Sequence, residues 1–170
     1  IRNLTYNPLS VRAESRTKTN YTNTKSLFPN PYSQMPISKT KIPNKMLSQD
    51  HFSSWLGIEI ISVEIGRVKV GMTIRKEMLN SMGKAHGGIS YSLADTAFGF
   101  SANTHGKYAV SIETSINHIE ALEEGDYITA EAVTDVSKKK VGFNIVEVKR
   151  GDQLVALFKG VVYRTSKDWE

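Results

Sequence analysis

The sequence predicts an α+β fold in which an antiparallel β-sheet packs against one long helix. Residues Gly88–Asn103 span about four helical turns and are apolar or small on nearly every side, so they need burial around most of their circumference. Alternating segments read as strands at 58–64, 67–75, 108–118, 127–137, 141–150 and 153–164. The strands after the helix follow one another through short turns. That implies antiparallel pairing, and one apolar sheet face then has to be covered by the helix.

In chain order, the first 45 residues carry no helical or strand period. They hold all five prolines (Pro8, Pro29, Pro31, Pro36, Pro43), and Asn, Ser, Thr, Lys and Pro supply 27 of the 45. Such a stretch cannot offset its ordering entropy by burial, so residues 1–45 are expected to be a disordered leader. The chain opens on Ile1, and Met46 stands where the composition changes. The leader therefore reads as translated upstream sequence or a remnant, and residues 46–170 as the functional domain. An organelle transit peptide, basic and poor in acids, is the rival reading; the prolines and the lack of an amphipathic helix weigh against it.

Ser48 is placed to cap a short helix carrying Phe52, Trp55 and Leu56 on one face and stopping at Gly57. The first two strands turn at Gly66, and the second alternates with Val68, Val70, Met72 and Ile74 facing inward. A loop over 76–87 contains Asn80, Gly83 and Gly87. After the long helix, Lys138–Lys140 and Gly151-Asp152 mark turns between the last three strands.

The net charge of +5 divides unevenly. Residues 1–45 hold eight Lys/Arg against Glu14 alone, +7, while residues 46–170 hold 14 bases and 16 acids, −2. The domain thus lacks the electrostatic footprint of a nucleic-acid binder. No cysteine is present, which excludes disulfides, thiolate metal sites and cysteine nucleophiles. No apolar run approaches the ~20 residues of a membrane span, and no secretory signal opens the chain. A cytoplasmic protein is expected, with neither nucleic-acid nor membrane partner.

The long helix contains one charge, Asp95. An ionised carboxylate in a dry environment is costly unless paired, hydrogen-bonded or wetted. Two readings stand: a structural Asp bonded to the hydroxyl of Ser92 or Thr96, or a carboxylate opening into a cleft as nucleophile or general base. Just before the helix, His86-Gly87-Gly88 puts unpaired backbone N–H groups at the positive helix end, where glycines allow a ligand to approach. Such donors suit a carbonyl oxygen that gains negative charge. Eight residues separate Gly87 from Asp95, about 12 Å along one helix, too far for the two to act on one carbonyl. If they cooperate, the site is shared between two subunits, and the small residues Ser92, Gly99 and Ala102 would let a second copy approach.

The segment AHGGISYSLADTAFGFSANTHG closely resembles the signature of the phenylacetate-degradation (PaaI-like) thioesterases, a hotdog-fold family; the likeness covers 50–165 in element order. It implies a homodimer or homotetramer that hydrolyses acyl-CoA to a free acid and coenzyme A, with no cofactor beyond the coenzyme A of the substrate. By the family pattern, Asn80 helps hold the thioester and Gly87 polarises its carbonyl through the amide. Asp95 attacks or activates water, His86 shapes the loop, and Ser111 is the nearest equivalent of a Ser that orients water in some members. The chain departs from many relatives by carrying Ala121-Leu122-Glu123-Glu124 where they have a Pro-Gly turn.

Other chemistries fit less well. A triad of Ser90 or Ser92 with His86 and Asp95 lacks the G-x-S-x-G elbow. His51, His86, His105 and His118 form no H-E-x-x-H, and Glu113 and His118 fall on opposite strand faces, so surface or loop histidines are expected and no metal site. Tyr91 and Phe98 read as packing, Lys138–Lys140 as a solvated hairpin end. A non-catalytic module that binds acyl-CoA is the alternative function. A hydratase on the same fold is disfavoured because the His86/Asp95 spacing does not resemble those families.

Overall fold

The computed structural model describes residues 39–169, and the expected disorder of 1–38 lies outside the described residues. Ordered structure begins before Met46, correcting the expected boundary. A 3-10 turn, Lys39–Lys41, leads into helix α1 (Ile42–Gln49), in which Ile42 and Pro43 are buried. Pro43 lies in the first turn, where a missing N–H loses no helical bond. Composition hid this helix because proline and polar residues suit a helix start as well as a coil.

Helix α2 (His51–Leu56) follows at once. Its cap is Asp50, not Ser48: Oδ1 accepts the Ser53 N–H (3.0 Å) and Oδ2 accepts the Ser53 hydroxyl (2.6 Å). Ser48 lies within α1 and donates to the Lys45 carbonyl (2.8 Å). Gly57 ends α2 at φ +76°, a left-handed conformation that favours glycine. Only Leu56 of the expected apolar face is buried; Phe52 and Trp55 stay exposed, stacked with ring centroids 6.1 Å apart.

Six strands form one antiparallel sheet: β1 (Glu59–Glu64), β2 (Arg67–Thr73), β3 (Lys107–His118), β4 (Tyr127–Ser137), β5 (Val141–Arg150) and β6 (Gln153–Asp168), in the order β1-β2-β4-β5-β6-β3. Helix α3 (Gly87–Asn103) covers one face. Val68, Val70, Met72 and Ile74 are buried as expected, and with Ile128, Ala130, Val146, Val148 and Phe158 they form the core beneath Leu93, Ala97 and Phe98 of α3. At Gly160 the sheet leaves room for the Phe98 ring, since a Cβ there would stand 2.7 Å from Phe98 Cζ. Phe98 packs on Phe158 (5.6 Å), as does Tyr91 (5.5 Å), whose hydroxyl meets that of Thr114 (2.6 Å). Both aromatic residues are packing residues, as the sequence reading held. Lys138–Lys140 form the exposed end of the β4–β5 hairpin.

The carboxyl end of α3 is tied down twice. The Thr104 hydroxyl accepts the Gly66 N–H (2.7 Å) from the β1–β2 turn and donates to the Ser101 carbonyl (2.6 Å). Asn103 donates from Nδ2 to the carbonyls of Gly99 (2.8 Å) and Ala109 (3.2 Å), and its Oδ1 accepts the Ala109 N–H (3.0 Å). These bonds fix the helix lengthwise and join it to β3. No helix among the described residues is long and apolar enough to cross a membrane.

Because Ile42 is buried ahead of the expected boundary, Ile42→Ala should destabilise the protein by about 2 kcal/mol, the low end for a buried Ile truncation. Thermal unfolding checks this; an unchanged Tm would return residues 39–45 to the leader.

Candidate active site

Everything that positions chemistry here radiates from the two ends of one stretch of α3. At its amino end the loop over 79–85 closes on itself. Asn80 N–H donates to the Lys84 carbonyl (2.7 Å), and its Oδ1 accepts the N–H groups of Met82 (2.8 Å) and Lys84 (3.2 Å). The side-chain oxygen is thus committed to the loop, while the Nδ2 amide has no partner among the described residues and lines a cavity of about 360 Å³ with Gly87. His86 is the N-cap of α3, accepting the Gly88 N–H at Nδ1 (3.0 Å). Its own N–H donates to the Met78 carbonyl (2.9 Å), and Ile89 N–H donates back to the His86 carbonyl (2.8 Å).

Of the first three N–H groups of α3, the cap therefore satisfies Gly88 and Ile89 and leaves Gly87 without a partner among the described residues. That donor lies at the positive helix end, on exposed backbone facing the cavity. It can hold a carbonyl oxygen, and the Asn80 amide is a second donor in the same cavity.

Asp95 opens elsewhere. It lines a separate cavity of about 240 Å³ with Ser92, Gly99, Phe52 and Phe100 among others. The hydroxyls weighed as structural partners are engaged otherwise: Ser92 donates to the Gly88 carbonyl (2.7 Å), and Thr96 bonds the Ser53 hydroxyl (3.2 Å). Asp95 accepts no hydrogen bond among the described residues, and desolvation pushes its pKa above the ordinary 3.8. An ionised carboxylate without donors, in a pocket, is a base with free lone pairs.

Gly88, Ser92, Asp95 and Gly99 recur on one face of the helix, where Gly88 is exposed and the other three are half-buried. A Cβ at Gly99 would meet nothing within 4 Å. Ala102 does not belong to that face, being fully buried.

The chain thus brings Asn80, His86 and Gly87 together and holds Asp95 apart. Ser111 joins neither cavity; it lies exposed on β3 beside an irregularity in the pairing with β6 between Ser111 and Glu113. His118, at the end of β3, is exposed as expected and also lines the Gly87 cavity. Its Nδ1 is 3.3 Å from Ser90 Oγ, and a Cβ on Gly87 would be 3.1 Å from its Nε2. Ser90 and His118 are far apart in sequence, and only the packing of β3 against α3 brings them together, a link no local spacing reveals. His105, by contrast, departs from a surface role: burial, then the charges of Arg164 and Lys39, pulls its pKa down to about 4. No group of three acidic or His residues among the described ones could hold a metal.

The thioesterase superfamily model matches residues 82–157, which contain Gly87, Asp95 and His118. The acyl-coenzyme A thioesterase PaaI of Escherichia coli is 38% identical over 120 residues, covering 70% of this chain and 86% of that protein. The chain belongs to the PaaI-like thioesterases. A putative esterase of Archaeoglobus fulgidus is also 38% identical, over 76% of this chain and 84% of its own. The solved structure of the E. coli PaaI protein, from the phenylacetic acid degradation operon, superposes with a TM-score of 0.74 at 34% identity, over 77% of this chain and 96% of that one. A Streptococcus mutans protein solved with acetyl CoA bound superposes at 0.64 with 26% identity, over 66% of this chain and 91% of that one. The fold is the hotdog fold that the sequence resemblance implied.

Within the family frame, Asp95 has a physical signature that stability can read. Its folded pKa is raised, so the folded state holds the proton more tightly than the unfolded chain. Its contribution is fully favourable below the unfolded pKa and is lost as pH rises through the folded one. Asp95→Asn should therefore raise Tm at pH 7, and the gain should shrink as pH falls towards about 4 and be absent below it. A loss of Tm at pH 7 that fades on acidification would show that the carboxylate is stabilised by partners instead.

Proposed function

We propose that this protein hydrolyses acyl-CoA thioesters to a free acid and coenzyme A, in a site built by two copies of the chain. The observation that carries the proposal is the pair of groups on α3 that are unmatched among the described residues: a Gly87 N–H without an acceptor and an Asp95 carboxylate without a donor, in separate cavities. The E. coli PaaI and acetyl CoA-bound relatives support the substrate class.

In this reading the Gly87 N–H and Asn80 Nδ2 hold the thioester oxygen and take up the negative charge that develops there. Asp95 of the facing copy removes a proton from water as the water attacks the carbonyl carbon, or attacks the carbon itself to give an anhydride that water then opens. The carbonyl π electrons move to oxygen, then return as the C–S bond breaks and the sulfur leaves. His86 keeps the helix entrance in shape. Ser111 is assigned to orienting the water, a role for which its exposed place on β3 leaves room in the assembled dimer. The site needs no metal or redox cofactor for these steps.

Two open surfaces support self-association. The stripe of Gly88, Ser92, Asp95 and Gly99 lets a second helix come close. The edge strand β3 carries the exposed Val110 and Ile112, and a long apolar edge is a template for pairing. Asn103 joins the two surfaces by bonding both Gly99 and Ala109. Dimers of dimers and a cytoplasmic location remain part of the reading.

A panel of acyl-CoAs should be turned over by the purified protein, and Asp95→Asn should reduce kcat by about 10²–10⁴, the range for removal of a general base. Liberated thiol is the readout. Binding of acyl-CoA without turnover by the unaltered protein would favour a binding module instead.

A further inference from the structure

We propose that His118 is the proton donor to the sulfur that leaves during thioester hydrolysis, an inference that rests on the thioesterase reading. Neither Asn80, His86, Gly87, Asp95 nor Ser111 has that task, and His118 stands in the same cavity as the carbonyl-holding N–H.

The hydrogen-bond inventory orients the ring. Ser90 has one hydroxyl proton, and its Oγ donates to the Gly87 carbonyl (3.2 Å). The contact between Ser90 Oγ and His118 Nδ1 (3.3 Å) must then run the other way, with Nδ1–H donating and Oγ accepting. This leaves Nε2 as the nitrogen that exchanges a proton with the cavity. It is the atom aimed at Gly87, 3.1 Å from where a Cβ would stand there. A side chain at 87 would crowd the ring, so the glycine keeps both its own N–H and the imidazole open to the substrate.

The target of Nε2–H follows from counting donors. The Gly87 N–H and Asn80 Nδ2 already supply two donors to the oxygen. The other atom of the thioester group that needs a proton as the adduct collapses is the sulfur, and Nε2–H is assigned to it. In the protonated ring, Nδ1–H stays on Ser90 while Nε2–H is transferred. As the tetrahedral adduct collapses, the C–S electron pair moves to sulfur and the Nε2 proton joins it, giving the neutral thiol and neutral His118. Solvent returns the proton to His118, and Asp95 releases to solvent the proton taken from water. A thiol has a pKa near 8.5, so at neutral pH the departing sulfur takes up a proton, and a donor beside it keeps the thiolate from returning to the carbonyl carbon.

A leaving-group comparison tests this. Each protein is assayed on an acyl-CoA and on the same acyl group carried by an acidic aryl thiol, which departs without a proton donor. For His118→Gln, kcat on acyl-CoA should fall about 10- to 100-fold, within the lower range for loss of a general acid, while turnover of the aryl thioester should change less than about threefold. Ser90→Ala, which removes the anchor of Nδ1, should show the same selectivity more weakly, with thermal unfolding confirming that both variants fold. Equal losses on the two thioesters would make His118 a structural residue, and no loss on either would make it a bystander; both outcomes overturn the proposal. If the unaltered protein hydrolyses neither thioester, the thioesterase reading falls and His118 with it. Hydrolysis of both with no selective loss removes His118 alone.

Discussion

Eight residues of unbroken helix separate Gly87 from Asp95, and most of the molecule serves to keep that rod straight and in place. The rise of an α-helix turns those eight positions into about 12 Å, well beyond the ~3–3.5 Å at which reacting atoms must meet. A flexible loop could close such a gap; α3 cannot. Its carboxyl end is bonded to the β1–β2 turn through Thr104 and to β3 through Asn103, and its buried side is locked by Phe98 against Gly160 and Phe158. A donor and a base held rigidly apart on one rod can share a substrate only when a second rod lies beside the first.

The same constraint explains why an apolar helix keeps one poorly covered face. Leu93, Ala94, Ala97 and Phe98 face the core, yet Gly88, Ser92, Asp95 and Gly99 face outward with little side chain to bury. Filling that face with large apolar residues would stabilise a lone chain and block the approach of another. Asp95 is the extreme case, since desolvation opposes its charge and no donor among the described residues offsets it. Stability is given up there, and a base with free lone pairs is what results. The neighbouring aromatic pair, Phe52 and Trp55, leaves further apolar surface exposed beside the same cavity.

Much of this was legible in the sequence, for reasons that differ by element. Strict alternation over 67–74 placed Val68, Val70, Met72 and Ile74 correctly, because period two has one solution when a single face is buried. The composition of Gly88–Asn103 identified the helix, which begins one residue earlier, at Gly87. The glycine pair at the amino end of α3 was readable because a helix start is set by a few residues of chain, whereas Asn80 and His86 entered through the family resemblance. Helix α1 was missed because proline and lysine conceal a helix start, and the cap of α2 was placed two residues early because Asp50 and Ser48 have equivalent chemistry. His118 was beyond local reading, since its place beside Gly87 depends on the packing of β3 against α3. Ser111 was carried by resemblance alone, and one chain does not bring it to the site.

The central claim, that each site takes its donors from one copy and its base from another, is tested most directly by complementation. Asp95→Asn and Asn80→Ala, each inactive alone, are mixed under conditions that exchange subunits, and thioester hydrolysis is measured with exchange confirmed by differential mass labelling. Random pairing in a two-fold dimer leaves one intact site in each mixed dimer, so activity should recover to about a quarter of the unaltered level. No recovery despite complete exchange would place Asn80 and Asp95 in the same chain's site and contradict the account.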